Sequence, residues 1–587
     1  MRTWRNASLS FLLAGLVGAG AASAQQAQPA SADQTQPQAS GNLQAGPVMT
    51  VNQAVDRMIA REHDEIATIR RFSPIIETYI QDMKPDKDLG SIPVKDHYFL
   101  GQADLSKGIV DRSMLTKRSK GKLDMLNPIS HIGGLFSSDY VPEGFLQMIY
   151  IDTNGFDRQH YQFDYVRREF LGEVRCVVFD VTPLPKSGKG RFKGRIWAED
   201  KDFNIVRFNG IYWPAAGING FNLHFDSWRL NMQPGLWLPA CIFSQESDLK
   251  DFLSTHIRFK SQTRLWAYDL KNIGHEQEFT ELTIESPTAI DQAGKEQHDT
   301  SPIEAEREWQ HTAEVNVIDR LQRIGLLAPS GEIDKVLETV VNNLEVTNNL
   351  DIQPEVHCRV LLTGTLESFS IGHTIVLSRG LLDVLPDEAS LATMLAQELA
   401  TIIVTRPETD QWGFNDMTNV STVDALNHFT FKYSQGDIEL SNKKAIELLQ
   451  KSPYKDKLGN AGLFLKQLDA QQKNLPALIN SRLGNRVVFA SELMSSAPNL
   501  QPQKLDQIAA LPIGGRVKLD PWNDQVELLK AKPVALYSAR EKRPFEVTPF
   551  MPFLTRYQRP GSGIISADPA KADLAKKQGQ QQQNTRQ

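Results

Sequence analysis

Apolar positions recur at two periods along this chain, and the change of period divides it. Val55, Met58, Ile59, Ile66, Ile69, Phe72 and Ile76 repeat at helical spacing and predict a long helix at the start of a block spanning 50–285. The period then shortens to that of strands. Tyr98-Phe99-Leu100, 145–151 (FLQMIYI) and 173–181 (EVRCVVFDV, after the turn Leu171-Gly172) read as strands. Segments 194–197 and 205–213 flank Asp200-Lys201-Asp202 as a hairpin. Segments 221–230, 235–243, 255–260 and 264–270 continue the series, which predicts an antiparallel β-rich domain behind a leading helix.

A second block, 306–495, returns to helical spacing in Val315, Val317, Ile318, Leu321 and Ile324, then in Ile333, Val336, Leu337, Val340, Val341 and Leu344. Inside it, 360–363 and 375–382 read as strand-forming, and Asp387 is placed to cap a helix over 389–404 whose stripe is Leu391, Met394, Leu395, Leu399 and Ile402. A small β-rich segment, 496–565, has strands at 517–519 and 526–528 on either side of the turn Pro521-Trp522-Asn523-Asp524. Polar stretches 25–49 and 286–305 read as linkers and 566–587 as a disordered tail, because none offers enough apolar surface to offset chain entropy. The fold class expected is α+β and multidomain.

The 587 residues suit two or three domains, and 41% hydrophobic with 23% charged residues is ordinary for a globular chain. A net charge of −6 gives no electrostatic case for nucleic acid. Arg2 and Arg5, the apolar run 9–20 and Ala22-Ser23-Ala24 have the form of a cleavable signal peptide over 1–24, which predicts export to the periplasm or exterior. No transmembrane segment is expected in the mature chain. Three cysteines, Cys176, Cys241 and Cys358, leave at least one unpaired; Cys176 and Cys241 either pair or, with Cys358, serve as small buried apolar residues.

Two stretches resemble known families. Residues 161–181 (YQFDYVRREFLGEVRCVVFDV), then 195–199 (RIWAE) and 203–207 (FNIVR), resemble the strand, strand, charged turn and returning strand of lipoprotein-carrier (LolA-like) domains. That resemblance implies a curved sheet around helices, able to cradle an acyl chain. In the second block, Glu367-Ser368-Phe369-Ser370, 374–382 (TIVLSRGLL), 385–399 (LPDEASLATMLAQEL) and 445–449 (AIELL) follow in order. Together they resemble family forty-eight of the metallopeptidases, which includes HtpX-type and BepA-type enzymes. The resemblance implies a mainly helical zincin-like domain with a small edge sheet, whose edge strand (Thr374, Val376, Ser378) would pair with an extended peptide.

Zinc chemistry of that family needs H-E-x-x-H, two imidazoles one helical turn apart with a general base between them. Here the motif reads Gln397-Glu398-Leu399-Ala400-Thr401, so only the base position, Glu398, is retained. The third ligand position falls on Ile438; a shift of one residue offers Glu439, and the supporting Asp becomes Asn442. The later His-Pro is replaced within Asn480-Ser481-Arg482-Leu483-Gly484-Asn485-Arg486, which leaves Arg486 as a neighbouring candidate. The 12 His show neither H-x-H nor H-x-x-x-H spacing, although His357, Cys358 and His373 fall on neighbouring predicted strands. No metal and no cofactor are therefore expected.

Three functions follow. One is a pseudopeptidase that binds exported or envelope proteins or peptides. Another is an active zinc endopeptidase with substituted ligands, for which zinc would be the cofactor. The third is a carrier that holds a lipid or acyl chain in the first block.

Overall fold

Thr50 caps the first helix, α1 (Val51–Ile69), in a reciprocal pair: Gln53 N–H donates to its hydroxyl at 3.3 Å, and its own N–H donates to Gln53 Oε1 at 3.0 Å. The helix ends at Ile69, before Pro74, so Phe72 and Ile76, expected on its stripe, lie beyond it. This computed structural model describes residues between Met49 and Tyr557, leaving aside 87–89, 107–109, 114–144, 214–222, 247–258, 271–301, 406–430, 486, 488–491, most of 502–516, 520–525, 529–544 and 550. The expected signal peptide, the tail and most of both linkers lie outside the described residues.

Ten strands form one antiparallel sheet: β1 (Ile75–Asp86), β2 (Gly90–Asp104), β3 (Val110–Ser113), β4 (Tyr161–Leu171), β5 (Val174–Pro183), β6 (Arg191–Glu199), β7 (Ile205–Trp213), β8 (Leu223–Gln233), β9 (Leu236–Glu246) and β10 (Phe259–Trp266). Their order is β3-β2-β1-β10-β9-β8-β7-β6-β5-β4, a meander from β4 to β10 joined to the first three strands through β1. The expected hairpin is β6–β7. The stretch 145–151 is not a strand: Gln147–Ile149 form a 3-10 turn, and the Tyr212 hydroxyl donates to the carbonyls of Gln147 and Tyr150. Phe145, Leu146, Met148, Ile149 and Ile151 are all buried there, and a continuous apolar run fits a buried turn as well as a strand.

The two sheet faces differ. One carries Phe192, Phe208 and Phe225, rings 5.8–6.1 Å apart, and meets α1 through Arg229, which donates to Glu62 at 2.6 and 2.8 Å. The other carries Trp197, Arg207, Trp228, Cys241, Arg264 and Glu77 as successive cross-strand partners. On that face the Arg207 guanidinium lies between the Trp197 and Trp228 rings. All three cysteines are free and buried, so they act as small apolar residues.

The second region holds α2 (Pro302–Ile324), α3 (Glu332–Asn348), β11 (His357–Leu361), β12 (Ser368–Ile371), β13 (Thr374–Ser378), α4 (Arg379–Val384), α5 (Glu388–Val404), α6 (Gln435–Gln450), α7 (Leu458–Gln471), α8 (Pro476–Ile479) and α9 (Glu492–Ser496). The two expected strands β14 (Val517–Leu519) and β15 (Val526–Leu528) follow and pair antiparallel. The small sheet has the order β11-β13-β12. Thr374, Val376 and Ser378 therefore sit on its central strand, parallel to β11 and antiparallel to β12, and not on an edge. Both backbone edges of that strand are taken, which rules out peptide pairing at those residues. All five β13 residues are buried, the mark of a strand covered on both faces.

The architecture is α+β: a β-rich sheet with a leading helix, then a mainly helical region with a small sheet. From Thr50 onward the described residues form one compact unit. A polar seam joins the regions. Asp96 on β2 accepts the N–H groups of Ala477 and Leu478 at 2.9 and 2.8 Å, capping α8 from across the seam. Glu77 on β1 accepts from the Tyr98 hydroxyl at 2.7 Å and from Gly364 N–H.

Candidate functional site

Helix α5 starts as its sequence dictates. The Asp387 side chain accepts Ser390 N–H at 2.8 Å, Glu388 occupies the first turn, and no Pro or Gly interrupts the following 17 residues. Its buried flank packs on α6, which Ser434 caps. Where the two helices meet, Gln397, Glu398 and Thr401 of α5, one turn apart, and Ile438 of α6 line one small pocket. Met394, Ser368 from β12, and Asn485 and Val487 from the loop after α8 close it. Its volume is about 20 Å³, enough for one or two water-sized groups and far short of a peptide side chain.

Glu398 is the only acid in this lining. Burial pushes its carboxyl up from 4.5 to about 7, against a single hydrogen bond from Ser368 Oγ at 2.6 Å. The Thr401 hydroxyl is spent on its own helix, donating to the Gln397 carbonyl at 2.9 Å. Gln397 Oε1 and Asn442 Oδ1 are buried without a hydrogen-bond partner among the described residues.

Ile438 and Glu439, the two residues offered for the third position, face different ways. Ile438 faces the pocket, whereas Glu439, about 100° further round the helix, is exposed and accepts from Gln435 Nε2 at 3.2 Å. Arg486 lies outside the described residues. His357, Cys358 and His373 do not converge: Cys358 is in the core, the His357 ring lies 3.5 Å from Glu338, and the His373 ring lies 3.7 Å from Glu314. One carboxylate, one amide, one hydroxyl and an isoleucine do not fit zinc, which takes three or four imidazole, thiolate or carboxylate donors. Among the described residues no group of three or more His, Cys, Asp or Glu could hold a metal ion.

One residue that positions the site was read from the sequence only as part of the stretch 367–370. Glu367, fully buried beside β12, accepts N–H groups from Arg482 at 2.8 Å, Leu483 at 3.2 Å and Gly484 at 3.5 Å, and the Ser481 hydroxyl. It thereby pins the loop that carries Asn485 and Val487 into the pocket. Burial still raises its carboxyl above the ordinary value, against those four donors. Its surroundings, 363–370 (TGTLESFS), mix polar and apolar residues and carry no local signal of that burial.

No protein-family model matches the chain, and no curated protein matches it either. Among solved structures it is similar to a LolA superfamily protein from Nitrosomonas europaea, at 13% identity over 38% of this chain and 95% of that one, with a TM-score of 0.21. A putative outer membrane lipoprotein-sorting protein domain from Vibrio parahaemolyticus gives 11% identity over 38% of this chain and 94% of that one, TM-score 0.21. A DUF1329 family protein from Desulfovibrio piger gives 10% over 38% and 95%, TM-score 0.21. Among the described residues no helix is long and apolar enough to cross a membrane.

Proposed function

We propose that this chain is a non-proteolytic binding module of the cell envelope, in which a peptidase-like frame persists without its chemistry. The observation that carries the reading is the convergence of Gln397, Glu398, Thr401 and Ile438 on one pocket. These four were picked from sequence as the base and ligand positions of a zinc site, and separate helices supply them. In that pocket no imidazole, thiolate or second carboxylate stands beside the base position. A carboxyl near 7 with one hydroxyl donor is a buried acid that shares its proton with the fold.

The active-enzyme alternative needs Glu439 as a substitute ligand, and that side chain is exposed and turned from the pocket. The carrier alternative puts an acyl chain between α1 and the sheet, where Phe192, Phe208 and Phe225 are buried in mutual ring contact. It draws no support from that packing.

The test is metal content and proteolysis on the purified chain after dialysis against zinc. The expected result is zinc well below one per chain, and casein hydrolysis no faster than in Glu398→Gln. One zinc per chain, with hydrolysis abolished in Glu398→Gln, would overturn the reading. Failure to retain any unfolded or extended polypeptide at micromolar concentration would remove the binding half of it.

A further inference from the structure

Strand β4 ends the ten-stranded sheet, and among the described residues no backbone group of 162–170 bonds to anything beyond β5. An open edge of this kind is a template for another strand. Apolar side chains stand along it in the open: Tyr165 is 47% exposed and Phe170 66%. Asp164 and Arg168 are exposed between them, and Arg167 is half-buried. Both ends of the edge are defined. Tyr161 N–H is taken by the Asp157 carbonyl at 3.0 Å. The turn Gly172-Glu173 is held by the segment 545–557, whose Leu554 carbonyl accepts Glu173 N–H at 2.8 Å.

A bulge decides what can pair there. The register with β5 shifts by one residue between Tyr165 and Arg167. Before the shift, Phe163 and Tyr165 stand opposite Val181 and Phe179; after it, Arg168 and Phe170 stand opposite Val177 and Arg175. These four therefore share one side of the strand. Gln162, Asp164, Arg167 and Glu169, opposite Thr182, Asp180, Val178 and Cys176, share the other. A regular strand alternates without a break and falls out of step at the bulge. An inverted copy of β4 carries the same break at the same place.

We propose that β4 is the contact surface of a two-fold symmetric dimer, in which two copies of this chain pair their β4 strands antiparallel and join their sheets. A two-fold axis between Tyr165 and Val166 sets Asp164 against Arg167 of the second copy, Phe163 against its Arg168 and Gln162 against its Glu169, each pair occurring twice. Sliding by two residues, the next register that keeps the sides in step, sets Asp164 against Glu169, carboxylate against carboxylate. Sliding the other way leaves Asp164 facing Tyr165. The charges are already held along the strand: Arg167 donates to Glu169 at 2.6 Å, and Asp164 accepts from Gln162 Nε2 at 3.0 Å. The ladder runs from Gln162 to Glu169, because the Tyr161 N–H beyond it is occupied. The dimer contact lies on the sheet region and does not depend on the reading of the Glu398 pocket.

Sedimentation of the purified chain from micromolar to sub-millimolar concentration should show a monomer–dimer equilibrium. Asp164→Arg sets arginine against arginine at both pairs, and Arg167→Asp sets aspartate against aspartate. Each variant alone should associate at least about tenfold more weakly than the wild type. Mixed, the two variants should associate with each other, because every arginine then faces an aspartate. Should Arg167→Asp not fold by circular dichroism, the wild type supplies the measurement: raising its concentration should slow amide exchange within 162–169 but not in β3 at the opposite edge. A chain that stays monomeric over the whole range overturns the proposal. So does a dimer that Asp164→Arg leaves intact, a mixture of the folded variants that stays monomeric, or exchange within 162–169 that ignores concentration.

Discussion

In the sheet region, Glu62 meets both terminal nitrogens of Arg229 at 2.6 and 2.8 Å, and Asp226 meets Arg207 in the same two-pronged way. In the helical region, Glu398 is also buried and meets one hydroxyl. Each carboxylate of the first kind has a guanidinium within hydrogen-bond reach. Glu398 remains in the core by holding a proton into the neutral range. Glu65 bridges the two cases. It shares Arg229 with Glu62, and burial pushes it to about 7 as well. A cation already committed to one carboxylate cannot hold a second one ionised. Glu398 and Glu65, neither of which has a cation to itself, are the two acids that burial pushes to about 7.

The sharpest way to break the contrast is to remove a cation. Arg229→Ala strands Glu62 in the core and should cost about 3–5 kcal/mol in urea denaturation at pH 7. A loss below about 1 kcal/mol would mean that the pair is wetter than its burial implies.

Glu398→Gln should act in the opposite direction, and only at higher pH. The folded state keeps a proton that the unfolded chain releases above 4.5, so this acid's favourable contribution is complete below 4.5 and is lost as pH rises through about 7. Glutamine has no such loss. The variant should match the wild type near pH 4.5 and exceed it by about 2–3 kcal/mol at pH 8, measured by parallel urea titrations. Equal stability at both pH values would remove the case for an unpaired, buried Glu398.

Ser368→Ala is the smallest perturbation. It takes away the single donor to Glu398 and should cost about 1 kcal/mol while moving the carboxyl titration, followed by infrared absorption, further up. A downward move would show that another donor stabilises the ionised form.

Much of this was legible in the chain because it is local. The helix at 388–404 announces itself through an Asp387 cap and an unbroken apolar stripe, and the β6–β7 hairpin through Asp200-Lys201-Asp202. The stretch 145–151 misled because an apolar run lacks a period when every face is covered. Thr374, Val376 and Ser378 misled for a related reason: burial on both faces says nothing about which backbone edge is taken. The segment 545–557 has no period at all, and its partners lie hundreds of positions upstream.

The sequence by itself determined that Gln397, Glu398 and Thr401 lie within about one turn of each other on one helix, because helical spacing fixes them relative to one another. It left open whether Ile438 or Glu439 turned toward them, since one residue of slip turns the helix by about 100°. Packing of α6 on α5 made that choice, and it chose the isoleucine. Tertiary structure alone also put β1 beside β10, made β13 central, and drew Glu367 under the loop at 481–484. Each of these depends on contacts between distant stretches, which no local pattern encodes and which only burial of the shared core selects.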